Sequence, residues 1–347
     1  MDKSGHSSRF VQLDALRGIA ALMVVYFHAV GACVERVPFS REYAVWHLLD
    51  WGKVGVAAFF GISGFVIPYT FRKHARPVRA FMISRIARLY PAYWCSILVA
   101  LAAWYLAKSP MKPIGTILAN LTMIQQAMGK PDLIGVYWTL FIELLFYAVC
   151  LAAFVAGWLR SSFFLFAAAM SFLGLAAGAA AIQSAAPVPL VSLSLMMLAC
   201  LWRRVIVDGD RLAAWLTPVG VAVWLVMWPI LAHWIFPEAD WLRQASSWIA
   251  GIAIFAIATV LRIRVPAVLI WLGALSYAIY LYHQIVSAAV TRFLPSLVNA
   301  PHAAFLVTAL GTVAVAAMSY KFIEEPCIGW GRSLAAREDS LQRESPR

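Results

Sequence analysis

The feature that most limits this chain is a succession of about ten apolar stretches, each close to the roughly 20 residues that carry a helix across a bilayer. They fall at 11–33, 52–71, 91–107, 135–157, 162–182, 187–202, 214–235, 245–263, 268–292 and 302–323, with short connections between them. Inside hydrocarbon the backbone must satisfy its own hydrogen bonds, so spans of this kind are helices. Of the 347 residues, 63% are hydrophobic and only 13% are charged, whereas a soluble domain is about half apolar. The expectation is an all-α, polytopic transmembrane helix bundle forming one domain over 1–330. The stretch 331–347 is charged and rich in Ser, Arg and Glu, and reads as a disordered cytoplasmic tail. The tract 114–126 is apolar but broken by Asn120, Gln125 and Gln126, and reads as a re-entrant or interfacial piece. No small-residue cleavage site follows the first apolar run, so that run is expected to be retained.

The net charge is +12. In a soluble protein that would raise nucleic acid as a partner; in a membrane protein it reports the cytoplasmic loops. No nucleic-acid-binding motif competes with the second reading. With the N-terminus inside, the inner segments hold Lys3, Arg9, Arg72, Lys73, Arg76, Arg79, Arg85, Arg88, Arg160, Arg203, Arg204, Arg211, Arg262 and Arg264, and the C-terminal end adds Lys321, Arg332, Arg337, Arg343 and Arg347. The outer loops hold only Arg36, Arg41, Lys53, Lys108, Lys112, Lys130, Arg243 and Arg292. Both termini are therefore expected in the cytoplasm. The five cysteines, Cys33, Cys95, Cys150, Cys200 and Cys327, are scattered without CxxC spacing. That pattern argues against a disulfide framework or a zinc site, and no metal is expected.

The first span, FVQLDALRGIAALMVVYFHAV over 10–30, carries Asp14, Arg17 and His28. Ionisable groups at membrane depth are costly, face the protein interior and mark function. Arg17 and His28 are 11 positions apart, which puts them on one face about 16 Å apart along the axis. Asp14, three positions before Arg17, is placed to pair with it. An imidazole at His28 suits a general base, because its ordinary pKa lets it take a hydroxyl proton near neutral pH. The structural alternative is an ion pair plus a histidine bonded to a neighbouring helix.

Five further stretches carry polar groups. In VRAFMISRIARLYPAYW, 78–94, the pair Arg85 and Arg88 shares one face of an amphipathic surface helix. It is either a lipid-phosphate anchor or a fork around a bound anion. In YWTLFIELLFY, 137–147, Glu143 is a carboxylate inside an apolar span, while Trp138 and Tyr137 sit at the outer interface. In FFGISGFVIP, 59–68, Gly61, Ser63 and Gly64 suit close helix packing or a backbone opening beside a ligand. In SYAIYLYH, 276–283, Tyr277, Tyr280, Tyr282 and His283 give a polar outer end to the ninth span, as an interfacial girdle or as substrate contacts. In FIEEP, 322–326, Glu324 and Glu325 oppose the helix dipole and are expected to find partners among the inner arginines.

Taken together, LDALRGIAALMVVYFHA, FFGISGFVI, SRIARLYPAYW, YWTLFIELLFY, SYAIYLYH and FIEEP resemble the acyltransferase-3 family of integral-membrane O-acyltransferases, in the family's order and across nearly the whole chain. The resemblance implies about ten helices in a bacterial cytoplasmic (inner) membrane and an acyl-CoA donor, acetyl-CoA by default, on the cytoplasmic side. It implies an acceptor hydroxyl on an extracytoplasmic or lipid-linked saccharide. It also implies that Arg17, His28, Arg85 and Arg88 are essential and that Glu143 is the family's fourth-span carboxylate. On this reading His28, Arg17, Asp14 and Glu143 are catalytic. Arg85, Arg88, Arg17 and Ser63 hold the donor, and Trp138, Tyr277, Tyr280 and His283 contact the acceptor. Two departures stand out: many members carry an added hydrolase-like domain where this chain stops after its last span, and Gly61-Ile62 stands where a bulkier pair is usual. No GxSxG elbow is present. The competing reading is a transporter or flippase, against which stands the lack of an internal repeat.

Overall fold

A computed structural model describes residues 10–34, 49–73, 76–182, 187–236, 240–261 and 263–344. Among these the chain is all helix: α1 (Val11–Val34), α2 (Trp51–Val66), α3 (Pro77–Leu106), α4 (Ile114–Leu121), α5 (Tyr137–Val155), α6 (Ser162–Ala181), α7 (Pro187–Ile206), α8 (Arg211–Ile235), α9 (Trp241–Val260), α10 (Ala267–Phe293), α11 (Pro301–Ser319) and α12 (Glu325–Glu344). Ten helical stretches among them are long and apolar enough to cross a membrane. Of the basic residues used for orientation, Lys3, Arg9, Arg36, Arg41, Arg262 and Arg347 lie outside the described residues.

α1 runs through the middle of the bundle, against α2 on one side and α10 and α11 on the other. α2 is the most enclosed span, with 72% of its apolar window buried, because α7 and α9 cover its far side. α6 and α8 pack outside α7. Small residues set these crossings, as they do where lipid offers no hydrophobic drive for helices to associate. A Cβ on Gly55 would lie 2.5 Å from the Ala20 carbonyl oxygen of α1, one on Gly251 2.4 Å from Val54 O, and one on Gly64 2.2 Å from Met196 O. Gly273 of α10 is tighter still: its Cβ would stand 1.9 Å from Asp14 O. The packing role expected of Gly64 is thus present.

Three expectations are corrected. The surface helix over 78–94 and the span over 91–107 are one continuous helix, α3, with Pro91 inside it. The proline forfeits one backbone bond, but its neighbours fix the region from outside. Tyr90 Oη donates to Thr122 O at 3.0 Å, Tyr93 Oη to Asn120 O at 2.7 Å and Trp94 Nε1 to Leu121 O at 2.9 Å. The same bonds hold the end of α4 against the middle of α3: Tyr93 is 13 residues, about 20 Å, from the end of α3, and the carbonyls of 120–122 accept from those three side chains.

The second correction concerns the C-terminal end, which is not a disordered tail from Gly331. After a π-helical turn over Tyr320–Glu324, α12 continues to Glu344. Gly331 and Ala335, four apart on one face, are buried, and a Cβ on Gly331 would lie 2.8 Å from the Ala87 Cβ of α3. Packing on α3 supplies what the polar composition alone does not. Third, Tyr277, Tyr280, Tyr282 and His283 do not form an exposed outer end of α10. They lie within its length and are all buried.

Candidate active site

One cavity, of about 70 Å³, opens between α1, α2, α5 and α10. Arg17, Ser63, Glu143, Tyr277 and Tyr280 all line it. Sequence reasoning missed two further polar wall residues, Thr139 and Ser276. Both lie inside stretches singled out for their ionisable neighbours, and their hydroxyls, common in packed helices, gave no signal of their own.

At the end of the cavity marked by Arg17 the charges gather. Arg17 is within electrostatic reach of Arg88, Glu143, Asp14 and Tyr147. Glu324, from the π-helical turn, faces Arg88 and Arg17 and is only 3% exposed. Tyr147 Oη donates to Glu143 Oε1 at 2.5 Å. Arg85 lies over the rings of Phe81 and Tyr147, 5.4 and 5.5 Å from their centroids. The cations of α1 and α3 and the carboxylates of α5 and the π-turn therefore share one cluster, in which Glu324 is buried and Arg17, Arg85, Arg88 and Glu143 are half-buried. Asp14, three positions before Arg17 on α1, is one of the charges acting on it. Glu324 gains the arginine neighbours expected of it, while Glu325 is exposed. A charged residue within an apolar run was the signal for Glu324, and its neighbour Glu325, pointing elsewhere, diluted it.

The cluster fits an anionic ligand. Arg85 Nε is buried with no acceptor among the described residues. Buried guanidinium donors left open are what a phosphate would satisfy.

His28 is not among the residues lining this cavity. It is half-buried on α1, beyond a wall made by Tyr280, whose hydroxyl bonds Thr139 Oγ1 at 2.7 Å and donates to Val136 O at 3.2 Å. The Tyr280 ring is 5.8 Å from that of His283, and the His283 ring is 4.9 Å from that of His28. The two imidazoles meet directly: His283 Nε2 is 3.2 Å from His28 Nδ1. His28 Nδ1 also lies 3.0 Å from Val24 O, and His283 Nδ1 lies 2.8 Å from Tyr280 O. Asp50 and Lys53, at the start of α2, are the charged groups that reach His28. Asp50 is held there by its own cap, accepting from Lys53 N at 2.9 Å, and by donating its N–H to Ser247 Oγ at 2.7 Å.

Two expected acceptor contacts are placed differently. His283 has no exposed surface, so it faces His28 and not a substrate. Trp138 is half-buried, lies outside the cavity and carries Lys53 Nζ 4.6 Å above its ring. Its neighbour Tyr137 is fully buried and shares a 2.7 Å hydrogen bond with Ser96 Oγ.

A larger groove, about 620 Å³, lies between the C-terminal halves of α3 and α10 beside residues 133–135. Alanines on both helices leave the space, and Gln284 and Arg292 supply polar groups. Gln284 is next in the chain to His283.

The chain is 28% identical to nodulation protein 10 of Rhizobium leguminosarum bv. viciae over 383 residues, covering 97% of this chain and 98% of that protein. It is 27% identical to acyltransferase MdmB of Streptomyces mycarofaciens over 150 residues, 40% of this chain and 38% of that one. It is 35% identical over 102 residues to protein 2 in the picA locus of Rhizobium radiobacter, 28% of this chain and 47% of that one. No solved structure matches it. The family model for the acyltransferase domain matches residues 10–321; with that match spanning nearly the whole bundle, the chain belongs to the acyltransferase-3 family of membrane acyltransferases.

Proposed function

We propose that the protein is a multi-pass O-acyltransferase of a bacterial cytoplasmic membrane. It moves an acyl group, acetyl in the simplest case, from cytoplasmic acyl-CoA to a hydroxyl of an extracytoplasmic or lipid-linked saccharide. The observation that carries the reading is the cluster of Arg17, Arg85 and Arg88 at the cavity that Arg17 lines, on the helix that also bears His28. In this reading both termini are cytoplasmic, and the arginine end of α1 faces the cytosol. Arg85 and Arg88 hold the phosphates of coenzyme A, with Arg17 next along the pantetheine path. Ser63, Thr139 and Tyr277 line the passage.

The chemistry assigned to the chain is a balanced acyl transfer. The acceptor oxygen bonds the acyl carbon, and its proton passes to His28. The carbon–sulfur bond breaks, and the departing thiolate takes the proton back from the imidazolium. Glu143, held by Tyr147, balances the charge of Arg17. Asp14, on the same helix and within electrostatic reach of Arg17, shares that charge balance. The groove that ends at Gln284 supports approach of the acceptor from the opposite side, with bilayer lipid around it.

The test is transfer of radiolabelled acetyl from acetyl-CoA by the protein in lipid nanodiscs, together with mass spectrometry of surface glycans from cells with and without it. Loss of about 10²-fold or more in rate for His28→Ala is the scale of a missing general base. A carrier would move label without forming an ester. Retention of full transfer by His28→Ala removes His28 as the base.

A further inference from the structure

The proposed function names His28 as a base but leaves open which of its nitrogens does the work and what holds it ready. The hydrogen-bond geometry of the two histidines answers both, and the answer rests on that proposed function only for its catalytic consequence. We infer that His283 is a positioning residue: it fixes His28 as the Nδ1–H tautomer, leaves Nε2 bare to accept a hydroxyl proton, and takes a hydrogen bond from the imidazolium that forms.

The argument starts from the carbonyls. A carbonyl oxygen only accepts, so His283 Nδ1, 2.8 Å from Tyr280 O, carries a proton. His283 is completely buried, and among the described residues no carboxylate pairs with it. A second proton on its ring would leave an uncompensated charge in the interior, which is strongly disfavoured. Its Nε2 is therefore a lone pair. That lone pair is 3.2 Å from His28 Nδ1, so His28 Nδ1 must donate. The independent contact agrees, because His28 Nδ1 is also 3.0 Å from Val24 O, another pure acceptor. The reverse tautomer of His28 would set its Nδ1 lone pair against Val24 O and require a doubly protonated His283. One proton arrangement satisfies every contact, and it leaves His28 Nε2 as the bare nitrogen.

The consequence for the reaction is an orienting group without charge. When His28 takes a proton on Nε2, its Nδ1–H becomes a charge-assisted donor, and its bond to His283 Nε2 strengthens just as the charge appears. This is the role a carboxylate plays in a hydrolase triad, here given to a neutral imidazole that is itself anchored to its own helix. A carboxylate at that depth would need its own compensation; an imidazole does not. The titratable groups facing the pair are Tyr280, on the same helix as His283, and Asp50 and Lys53 of the α2 N-terminus, which face His28.

The experiment has a readout that does not depend on turnover. Nitrogen-15 NMR of histidine-labelled protein in nanodiscs reports the tautomer of each ring, with the two signals assigned by His28→Gln and His283→Gln. The expected result is a protonated Nδ1 and an unprotonated Nε2 on both rings. A protonated Nε2 on either ring at neutral pH overturns the inference, whatever the enzyme does.

Kinetics then tests the role. Glutamine can present its amide oxygen near the position of the lost Nε2, whereas leucine offers no acceptor. Relative to wild type, His283→Leu is expected to lower kcat about 30-fold or more, a share of the effect of general-base catalysis, while KM for acetyl-CoA moves less than about threefold. His283→Gln is expected to recover at least a tenth of the wild-type kcat. Equal loss in both folded variants, or wild-type kcat in His283→Leu, refutes the positioning role. If NMR gives the expected tautomers but His28→Ala retains full transfer, the proton arrangement stands and the role of His28 as base fails, while acyl transfer itself remains.

Discussion

The contact between Gly273 and Asp14 gives the sharpest handle on how the fold sets the site. α1 and α10 run side by side there, and the reciprocal contact is nearly as close: a Cβ on Gly18 would lie 2.8 Å from Leu272 Cβ and 2.9 Å from Gly273 N. Replacing Gly273 with alanine puts a Cβ 1.9 Å from a backbone oxygen, against 3.4 Å where such contacts become ordinary. The obstacle is backbone on both sides, so no side chain can swing away, and the helices must part by about 1.5 Å. Overpacking of this kind costs about 1–3 kcal/mol.

The larger effect falls on the groups that span the same interface. Arg17 is three residues beyond Asp14, and the His28–His283 bond at 3.2 Å joins the same two helices. A misplacement of about 1 Å can cost about 10²-fold in rate. Gly273→Ala is therefore expected to lower acyl transfer by about that factor and to shift the unfolding midpoint down. Gly174→Ala, where the added Cβ meets nothing within 4 Å, is the control. In the interior of α6 it is expected to be neutral or to stabilise by up to about 1 kcal/mol. The assays are transfer of radiolabelled acetyl in nanodiscs and thermal unfolding by tryptophan fluorescence. Transfer by Gly273→Ala within threefold of wild type would refute the claim that this crossing sets the register of the site.

Arg85→Lys keeps a charge but loses the planar fork and the stacking on Phe81 and Tyr147; KM for acetyl-CoA is expected to rise about tenfold with kcat little changed, and an unchanged KM in steady-state kinetics would remove Arg85 from donor binding. Gly64→Ala places a Cβ 2.2 Å from Met196 O and is expected to destabilise by about 1–3 kcal/mol, read as a lower unfolding temperature. Asp210 caps α8, accepting from Ala213 N at 2.9 Å, and pairs with Arg204; Asp210→Ala is expected to cost about 0.5–2 kcal/mol at neutral pH. The cap bond from the Ala213 amide, then the Arg204 bond, hold the Asp210 carboxyl below its ordinary 3.8, at about 2. Since the folded value is the lower one, its stabilisation is present above about pH 4 and is lost as pH falls toward 2. The gap in unfolding temperature between wild type and Asp210→Ala should therefore narrow through that window, and a gap that widens on acidification would contradict the sign.

The sequence was legible where physics forces a pattern. Apolar runs of membrane length announced the spans, and charges inside them announced Arg17, Glu143 and His28, because a charge in hydrocarbon has few bland explanations. Reading failed where partners came from elsewhere in the chain. Asp14 lies three positions before Arg17 on α1, yet Arg17 also meets the charges of Glu143 and Arg88 on other helices. His283 looked like a polar end of a span because local pattern gave no hint that α1 brings a second imidazole to it. The helix over 331–344 was hidden for the opposite reason: its composition is polar, and only Gly331 and Ala335 against α3 explain its order.

The position of Tyr280 turns this arrangement into a further expectation. Its ring lines the Arg17 cavity and also stands next to His283, with its hydroxyl tied to Thr139 Oγ1 and Val136 O. On the proposed function it therefore stands between the donor side and His28, on the path of an acyl group to the base. A division of that kind keeps water from a thioester while no acceptor is present, since excluding water suppresses hydrolysis as a side reaction. Tyr280→Ala removes the ring and joins the two compartments. Acetyl-CoA hydrolysis without acceptor is expected to rise about tenfold over wild type while transfer to acceptor falls, as water replaces the excluded volume. Tyr280→Phe keeps the ring and loses only the tether, so its hydrolysis should remain near wild type. If Tyr280→Ala hydrolyses no faster than Tyr280→Phe, the ring is packing and not a barrier, and the acyl arm reaches His28 by a route that does not pass it.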